Sequence, residues 1–226
     1  MKVTRLLAIA VAMFFVAAVA SADIITPGFT FAVASAGGDH TVGTHYHSNT
    51  GGAFGNPAGK AEIGSYATEE VRGLSEYDLT GLTAGPAFVT FNVFNAGGLF
   101  AGVNDFPFTG TIDIFAYQGN NLEDISDYQA ASAGFVGSFG TQGLIVGNVL
   151  SFDISTIFGM ATSDGWTSLG IRLQDATDPV AFGGAWTFDT FRLTSTNDTT
   201  PSPEPATLLL LGPGLLGVAR LRRRRG

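Results

Sequence analysis

The chain contains no cysteine in its 226 residues. This absence excludes disulfide bonds, thiolate nucleophiles and zinc or iron–sulfur sites held by cysteine. Positive charge is also scarce in the middle of the chain. Between residues 23 and 203, 18 Asp and Glu stand against four Lys and Arg, which gives a formal charge of −14. Because nucleic-acid binding depends on Lys and Arg that neutralise phosphates, we expect no nucleic-acid partner.

The apolar run near the N-terminus is shorter than the roughly 20 residues that a membrane-spanning helix needs. Lys2 and Arg5 precede an uninterrupted apolar run over residues 6–19, and three small residues follow it. This arrangement is typical of a secretory signal peptide. We therefore expect signal peptidase to remove residues 1–22, so that the exported chain begins at Asp23.

Helical spacing of apolar residues is rare, and short stretches rich in Phe, Val, Ile and Thr recur between Gly, Asn and Asp turns. Apolar residues at every second position predict strands. The clearest strands are predicted over residues 29–34, 71–78, 88–94, 109–117, 149–154, 168–174 and 185–193. Two short helices are predicted, one with Asn121 as N-cap and one after Asp153. The pattern predicts an all-β fold, an antiparallel β-sandwich of jelly-roll type with short connecting helices.

The length favours one domain, which we place at residues 23–193, because single domains commonly run to about 100–200 residues. Residues 194–202 are rich in Ser, Thr and Pro and predict a linker. Trp186 alternates with Phe188, which predicts that both face the core. Exposed Trp or Tyr rings that stack on sugars are the alternative for the aromatic residues.

Residues 203–226 hold three elements in order: a Pro-Glu-Pro triplet, an apolar segment over residues 206–219 and an arginine-rich end. The residues concerned are Pro203, Glu204, Pro205, Arg220, Arg222, Arg223, Arg224 and Arg225. As a helix, the apolar segment is about 21 Å long, shorter than the roughly 30 Å hydrocarbon core. The arginines stay on the cytoplasmic side under the positive-inside rule. We expect a transient inner-membrane anchor that is recognised and then removed.

The three elements resemble the PEP-CTERM sorting signal. In that family an exosortase, a membrane protease-transpeptidase, reads the signal and cuts near the triplet. The protein then passes to the surface of Gram-negative bacteria that make exopolysaccharide. The resemblance implies an exosortase partner and a cell-surface or extracellular location, and a plain C-terminal membrane anchor is the alternative.

Residues 71–82 ("VRGLSEYDLTGL") and 150–174 loosely resemble exported β-sandwich domains that accompany such tails and look related to carbohydrate-binding jelly rolls. This resemblance implies a non-catalytic surface or matrix protein that binds exopolysaccharide in a biofilm. The alternative is a secreted glycoside-active enzyme, a hydrolase or lyase, because 18 acidic residues offer many carboxylate pairs. No motif of a serine hydrolase or a zinc protease, G-x-S-x-G or H-E-x-x-H, occurs.

The three histidines, His40, His45 and His47, lie in one short segment. On a strand, His45 and His47 point to one face, so they form a candidate metal site that Asp39 or His40 would complete. A solvated glycine-rich segment is the alternative. Calcium is the other predicted metal, because it takes oxygen ligands from loops. The candidate loop residues are Asn104, Asp105, Asn120, Glu123, Asp124 and Asp127, for which solvated carboxylates are the alternative.

Overall fold

The structure, a computed structural model, describes residues 23–47, 59–176 and 183–196. In this part of the chain the strands are β1 (Asp23–Pro27), β2 (Phe29–Ser35), β3 (Gly43–Tyr46), β4 (Ala61–Tyr66), β5 (Glu69–Asp78), β6 (Ala87–Asn95), β7 (Thr111–Gln118), β8 (Ser132–Gly140), β9 (Val149–Asp153), β10 (Ser168–Asp175) and β11 (Ala185–Thr196). A 3₁₀ helix (Ile125–Gln129) precedes β8, and helix α1 (Ser155–Ser163) precedes β10.

Strands β4 to β11 form two sheets, and the chain changes sheet at every connection except the one between β7 and β8. One sheet has the order β4-β11-β6-β9 and the other the order β5-β10-β7-β8, and the β4–β5 hairpin joins them. Every pairing is antiparallel. Two four-stranded sheets in this order form a jelly roll, which confirms the predicted fold class. The three N-terminal strands add to these sheets. Strand β1 pairs with residues 192–196 of β11, β2 pairs with the free side of β5, and β3 pairs with β2.

The main core lies between the two sheets and is built by the alternation seen in the sequence. Ile112 and Ile114 of β7 and Ile171 of β10 face Phe91 of β6 and Phe188 of β11, and all five are buried. Trp186 lies in the same core, as predicted, and its indole N–H donates to the carbonyl of Phe108 at 2.9 Å. Burial of these large side chains supplies the driving force that disulfides would otherwise supplement.

Six of the seven predicted strands end within two residues of the observed ends. The exception is β11, which continues to Thr196 because Thr194 pairs with Phe88 of β6 and with Ile25 of β1. The domain boundary therefore lies beyond residue 193. Strands β1, β3, β4 and β8 were not predicted. In β8, Gly134, Gly137 and Gly140 hide the alternation, and pairing with β7 holds the extended backbone instead.

Both short helices form near their predicted positions. Asp124, and not Asn121, caps the 3₁₀ helix by accepting a hydrogen bond from the backbone N–H of Ser126 at 2.9 Å. At α1 the carboxylate of Asp153 accepts from the backbone N–H of Ser155 at 2.8 Å. No helix within the described ranges is long and apolar enough to span a membrane. The predicted signal peptide (1–22), residues 197–202 of the predicted linker and the sorting segment (203–226) lie outside the described residues.

Candidate functional site

One row of side chains crosses the outer face of the sheet that contains β5, β10, β7 and β8. The strand registers place Phe31 opposite Leu74, Leu74 opposite Arg172, Arg172 opposite Phe115, and Phe115 opposite Phe135. Residues that pair in this way point to the same side of a sheet. Phe31 is fully buried, whereas Phe135 is 58% exposed. The row therefore divides the face into a covered patch and an open patch.

The covered patch consists of Phe31, Val33, Leu74 and Tyr117, and it lies under the chain that connects β7 to β8. Tyr128 of the 3₁₀ helix completes this second, smaller core. Gly170 is required here, because a Cβ atom at that position would lie 2.1 Å from the Tyr117 ring. The connection folds back over the sheet because its own apolar side chains are buried there.

Two arginines fasten this connection to the sheet. The guanidinium of Arg72 donates to both carboxylate oxygens of Glu70, at 2.7 and 2.9 Å, and to the carbonyl of Tyr128 at 2.9 Å. The guanidinium of Arg172 donates to the carbonyls of Tyr128 and Ala130 at 3.1 and 2.8 Å. Two of the four basic residues between residues 23 and 203 therefore serve the interior, which leaves the surface strongly acidic.

A buried pair of carboxyl groups lies beside these arginines. Glu76 accepts hydrogen bonds from the Ser168 hydroxyl at 2.8 Å and from the backbone N–H groups of Asn120 and Asn121 at 3.0 and 2.8 Å. Burial, followed by the charge of neighbouring Glu76, raises the pKa of Asp127 to about 8. A carboxyl with a raised pKa retains its proton to higher pH, which avoids a second buried negative charge beside Glu76.

The open patch is a rectangle of six side chains on β10, β7 and β8. Arg172, Phe115 and Phe135 form one row, and Gln174, Asp113 and Ser138 form the next. The Phe115 and Phe135 rings are 5.5 Å apart between centroids and inclined by 60°. With neighbouring strands about 4.8 Å apart, the three strands present a surface about 10 Å wide. It combines an exposed aromatic ring with a carboxylate, an amide and a hydroxyl.

Sequence reasoning missed the open patch. The alternation in β7 placed Phe115 and Asp113 on one face, but the partner residues on β8 and β10 depend on pairings between distant parts of the chain. Phe135 stands in "GFVGSFG", which the sequence offers only as a glycine-rich stretch. The signal that was available is the pair of Phe residues, Phe135 and Phe139, in an otherwise small-residue segment.

The structure brings together two of the three predicted histidines. A ligand atom each of His45, His47 and Glu69 lies within 4.8 Å of the other two. His45 and Glu69 are partly exposed, and His47 is buried. His40 is not part of this group, and the third member is Glu69 from β5, a residue that sequence reasoning did not consider. The β2–β3 and β4–β5 hairpins bring these three residues together, and the spacing of the residues in the sequence does not predict this contact.

Several of the residues predicted for calcium make contacts that support the fold. The amide of Asn104 donates to buried Glu62 at 2.5 Å, and its oxygen accepts from the backbone of Phe100 at 3.3 Å. Asp124 caps the 3₁₀ helix, and Asp127 pairs with Glu76. Asp105, Asn120 and Glu123 lie in the same two connections. Calcium binding by these residues stays a prediction.

No family model matches the chain. No curated protein matches it either. Among solved structures, it is similar to the carbohydrate-binding module and glycoside hydrolase modules of a Clostridium thermocellum endo-1,4-β-D-xylanase complexed with xylohexaose (11% identity, TM-score 0.33, covering 82% of this chain and 30% of that one). It is also similar to the protein SGBP-B from a xyloglucan utilization locus of Bacteroides uniformis (15% identity, TM-score 0.31, covering 76% and 47%). The chain thus spans less than half the length of either protein, and both likenesses are too distant to carry a functional argument.

Proposed function

We propose that the protein is an exported, exosortase-processed surface or extracellular-matrix protein that binds glycan through the open patch without catalysis. The two terminal segments support export and processing, because they match the signal peptide and the sorting signal described above. The open patch supports glycan binding. Exopolysaccharide of the producing cell, in a biofilm, is the ligand that this location makes available.

The observation that carries the proposal is the 58% exposed ring of Phe135 on a flat sheet face. An aromatic face packs against the apolar face of a sugar ring, while neighbouring polar side chains bond its hydroxyl groups. Asp113 and Ser138, which lie opposite each other on β7 and β8, are placed for the second task. The polar row lies about 7 Å along the strands from the aromatic row, so one sugar unit can contact both.

The composition of the open patch favours binding over hydrolysis. Glycoside hydrolases commonly use two carboxyl groups on either side of the scissile bond. The six side chains of the patch include one carboxylate, that of Asp113. The nearby pair of Glu76 and Asp127 is buried beneath the β7–β8 connection, where a polysaccharide does not reach it.

The charge of the domain indicates which glycans suit it. Between residues 23 and 203 the formal charge is −14, and Arg172 at the edge of the patch is engaged by backbone carbonyls. An anionic polysaccharide is therefore repelled unless a divalent cation such as calcium bridges the two surfaces. We expect neutral glycans to bind without calcium.

Binding is tested by co-sedimentation of the full-length protein, in mild detergent, with extracellular polysaccharide from the producing organism. Phe135→Ala is expected to weaken retention about tenfold, because aromatic anchors at the centre of an interface commonly contribute more than 1 kcal/mol. Phe88→Ala is the matched control, since Phe88 is 41% exposed on a strand of the other sheet. Equal retention of the Phe135 variant and the wild type would overturn the assignment. Release of reducing sugar that Asp113→Asn abolishes would favour the glycoside-active alternative.

Processing is tested separately by mass spectrometry of the protein recovered from the cell surface. We expect an N-terminus at Asp23 and loss of Arg222 to Arg225. In cells that lack the exosortase, the arginines should remain and the protein should stay in the membrane fraction. A surface form that keeps all four arginines would contradict the sorting proposal while leaving glycan binding unaffected.

A further inference from the structure

We propose that His45, His47 and Glu69 form a transition-metal site, and that Zn²⁺ is the ion that suits it. The site lies where the end of β3 meets the start of β5. Two imidazoles and one carboxylate are the ligand set of several zinc sites that keep a further position open to solvent. Calcium is a poorer match, because it takes six to eight oxygen ligands.

The spacing of the ligand atoms fits tetrahedral coordination. Nε2 of His45 lies 3.4 Å from a carboxylate oxygen of Glu69. Two ligands on one zinc, each bonded at about 2.0–2.1 Å, are about 3.3 Å apart in tetrahedral geometry. The ligand atom of His47 lies within 4.8 Å of both, so a small side-chain adjustment brings it into the same shell.

A buried carboxylate holds His47 in the orientation that a metal ligand needs. Nε2 of His47 lies 3.0 Å from Glu62, which is fully buried. Glu62 is held in turn by the backbone N–H of Leu99 at 3.0 Å and by the amide of Asn104 at 2.5 Å. Metal-binding histidines commonly donate their second N–H to a carboxylate in this way.

His45 is oriented by a parallel arrangement on the exposed side. Its Nδ1 lies 2.9 Å from the hydroxyl of Thr44, and that hydroxyl donates to the carbonyl of Ala34 at 3.3 Å. With Nδ1–H donating to Thr44, the lone pair of Nε2 points toward Glu69. These contacts orient both imidazole rings.

The site is partly exposed to solvent, which determines the fourth ligand of the metal. The side chains of His45 and Glu69 are 48% and 25% exposed, so water can supply the fourth ligand. A metal here would tie β3, which pairs only with β2 among the described strands, to β5. In a chain without cysteine, such a link stabilises the folded state by an amount that grows with the logarithm of the zinc concentration above Kd.

The test uses the full-length protein in mild detergent, stripped with a chelator and titrated with Zn²⁺. Isothermal titration gives stoichiometry and affinity, and the thermal midpoint with and without zinc gives the link to stability. The wild type should bind one zinc per chain. Glu69→Gln and His45→Gln alter partly exposed side chains, so they should fold and bind at least about tenfold more weakly. Glu62→Gln should also weaken binding about 10–100-fold, and circular dichroism checks that it folds.

His40→Gln is the matched control, because it removes the histidine that lies outside the group. It should bind zinc as the wild type does. Failure of the wild type to bind stoichiometric zinc would overturn the proposal, as would unchanged binding by both Glu69→Gln and His45→Gln. Equal loss in the His40 variant would also overturn it, because the ion would then lie elsewhere. None of these results depends on glycan binding.

Discussion

The covered and open patches lie on one sheet face and share one row of side chains, yet their chemistry is opposite. At the covered end, Phe31 and Leu74 are fully buried, and charged groups such as Glu70 are satisfied internally. At the open end, Phe135 and Ser138 are exposed, and Asp113 and Gln174 are half-buried. The difference arises from the β7–β8 connection, which folds over one half of the face and stops at Arg172. The open patch is therefore accessible because the β7–β8 connection does not extend over it.

The largest loss of stability is expected when Arg72, which binds the β7–β8 connection to the sheet, is replaced. Arg72→Ala leaves Glu70, which is 3% exposed, as a buried carboxylate without its cation. Breaking a buried pair from one side costs about 3–5 kcal/mol. The thermal midpoint should therefore fall by about 10 °C. Arg192→Ala, on the other sheet, is the control and should shift it by far less.

A smaller loss of stability is expected when the β7–β8 connection keeps its side-chain packing but loses the hydroxyl donor of Tyr128. The hydroxyl of Tyr128 donates to Glu70 at 2.7 Å and, over a longer 3.2 Å, to the carbonyl of His40, and Tyr128→Phe removes this donor while keeping the ring. Hydrogen bonds to charged groups contribute about 1.5–3 kcal/mol. Tyr46→Phe removes a hydroxyl that donates to the neutral carbonyl of Glu123, and it should cost about 0.5–1.5 kcal/mol in chemical denaturation. Equal losses in the two variants would contradict this account of Glu70.

The covered patch should also make stability depend on pH. The folded pKa of Asp127 is raised to about 8 from an ordinary value of 3.8, so the folded state binds more protons than the unfolded state between these values. Stability from this group is therefore present at low pH and is lost as pH rises from about 4 to about 8. Asp127→Asn should flatten the profile and melt at a higher temperature than the wild type at pH 8. An identical pH profile for the variant would show that Asp127 is not protonated in the fold.

The smallest effect on stability is expected at the open end. Phe135→Ala should change the free energy of unfolding by only about 0.5 kcal/mol, because the ring is already 58% exposed. Phe31→Ala, at the buried end of the same row, should cost about 3–5 kcal/mol. Denaturant titration of both variants measures the contrast. A large loss for Phe135→Ala would mean that the ring is needed for folding, which would weaken its role as a binding residue.

Local sequence patterns predicted most of the central strands and the approximate positions of both short helices. The alternation in residues 112–117 identified β7 and its inward side chains, and the helix α1 predicted after Asp153 is present, although its N-cap residue is Ile154 and Asp153 accepts from Ser155 just before it. Patterns failed where pairing overrides local preference, as in glycine-rich β8 and in the Thr-rich end of β11. In both cases hydrogen bonds to a neighbouring strand, and not the side chains, hold the backbone extended.

The candidate sites were less accessible to sequence reasoning. It singled out His45 and His47 because two histidines at alternate positions share a face, but it gave Asp39 or His40 as the partner in place of Glu69. Glu69 lies more than twenty residues along the chain and arrives through the pairing of β5 with β2 and β4. The acidic loop residues were recognised by composition, although Asp127 is buried in the fold, where burial raises the pKa of its carboxyl.

By itself, the sequence determined what composition and short periods encode: no disulfides, a strongly acidic middle, strands that alternate every two residues, and terminal segments typical of export. Only the tertiary structure decided which of these strands adjoin, because pairing joins residues that are far apart in the chain. That choice put Phe135 beside Phe115, turned Arg72 and Arg172 inward, and brought Glu69 to the histidines. Exposure, protonation and ligand geometry are properties of such neighbours, and neighbours in a β-sandwich are set by the fold.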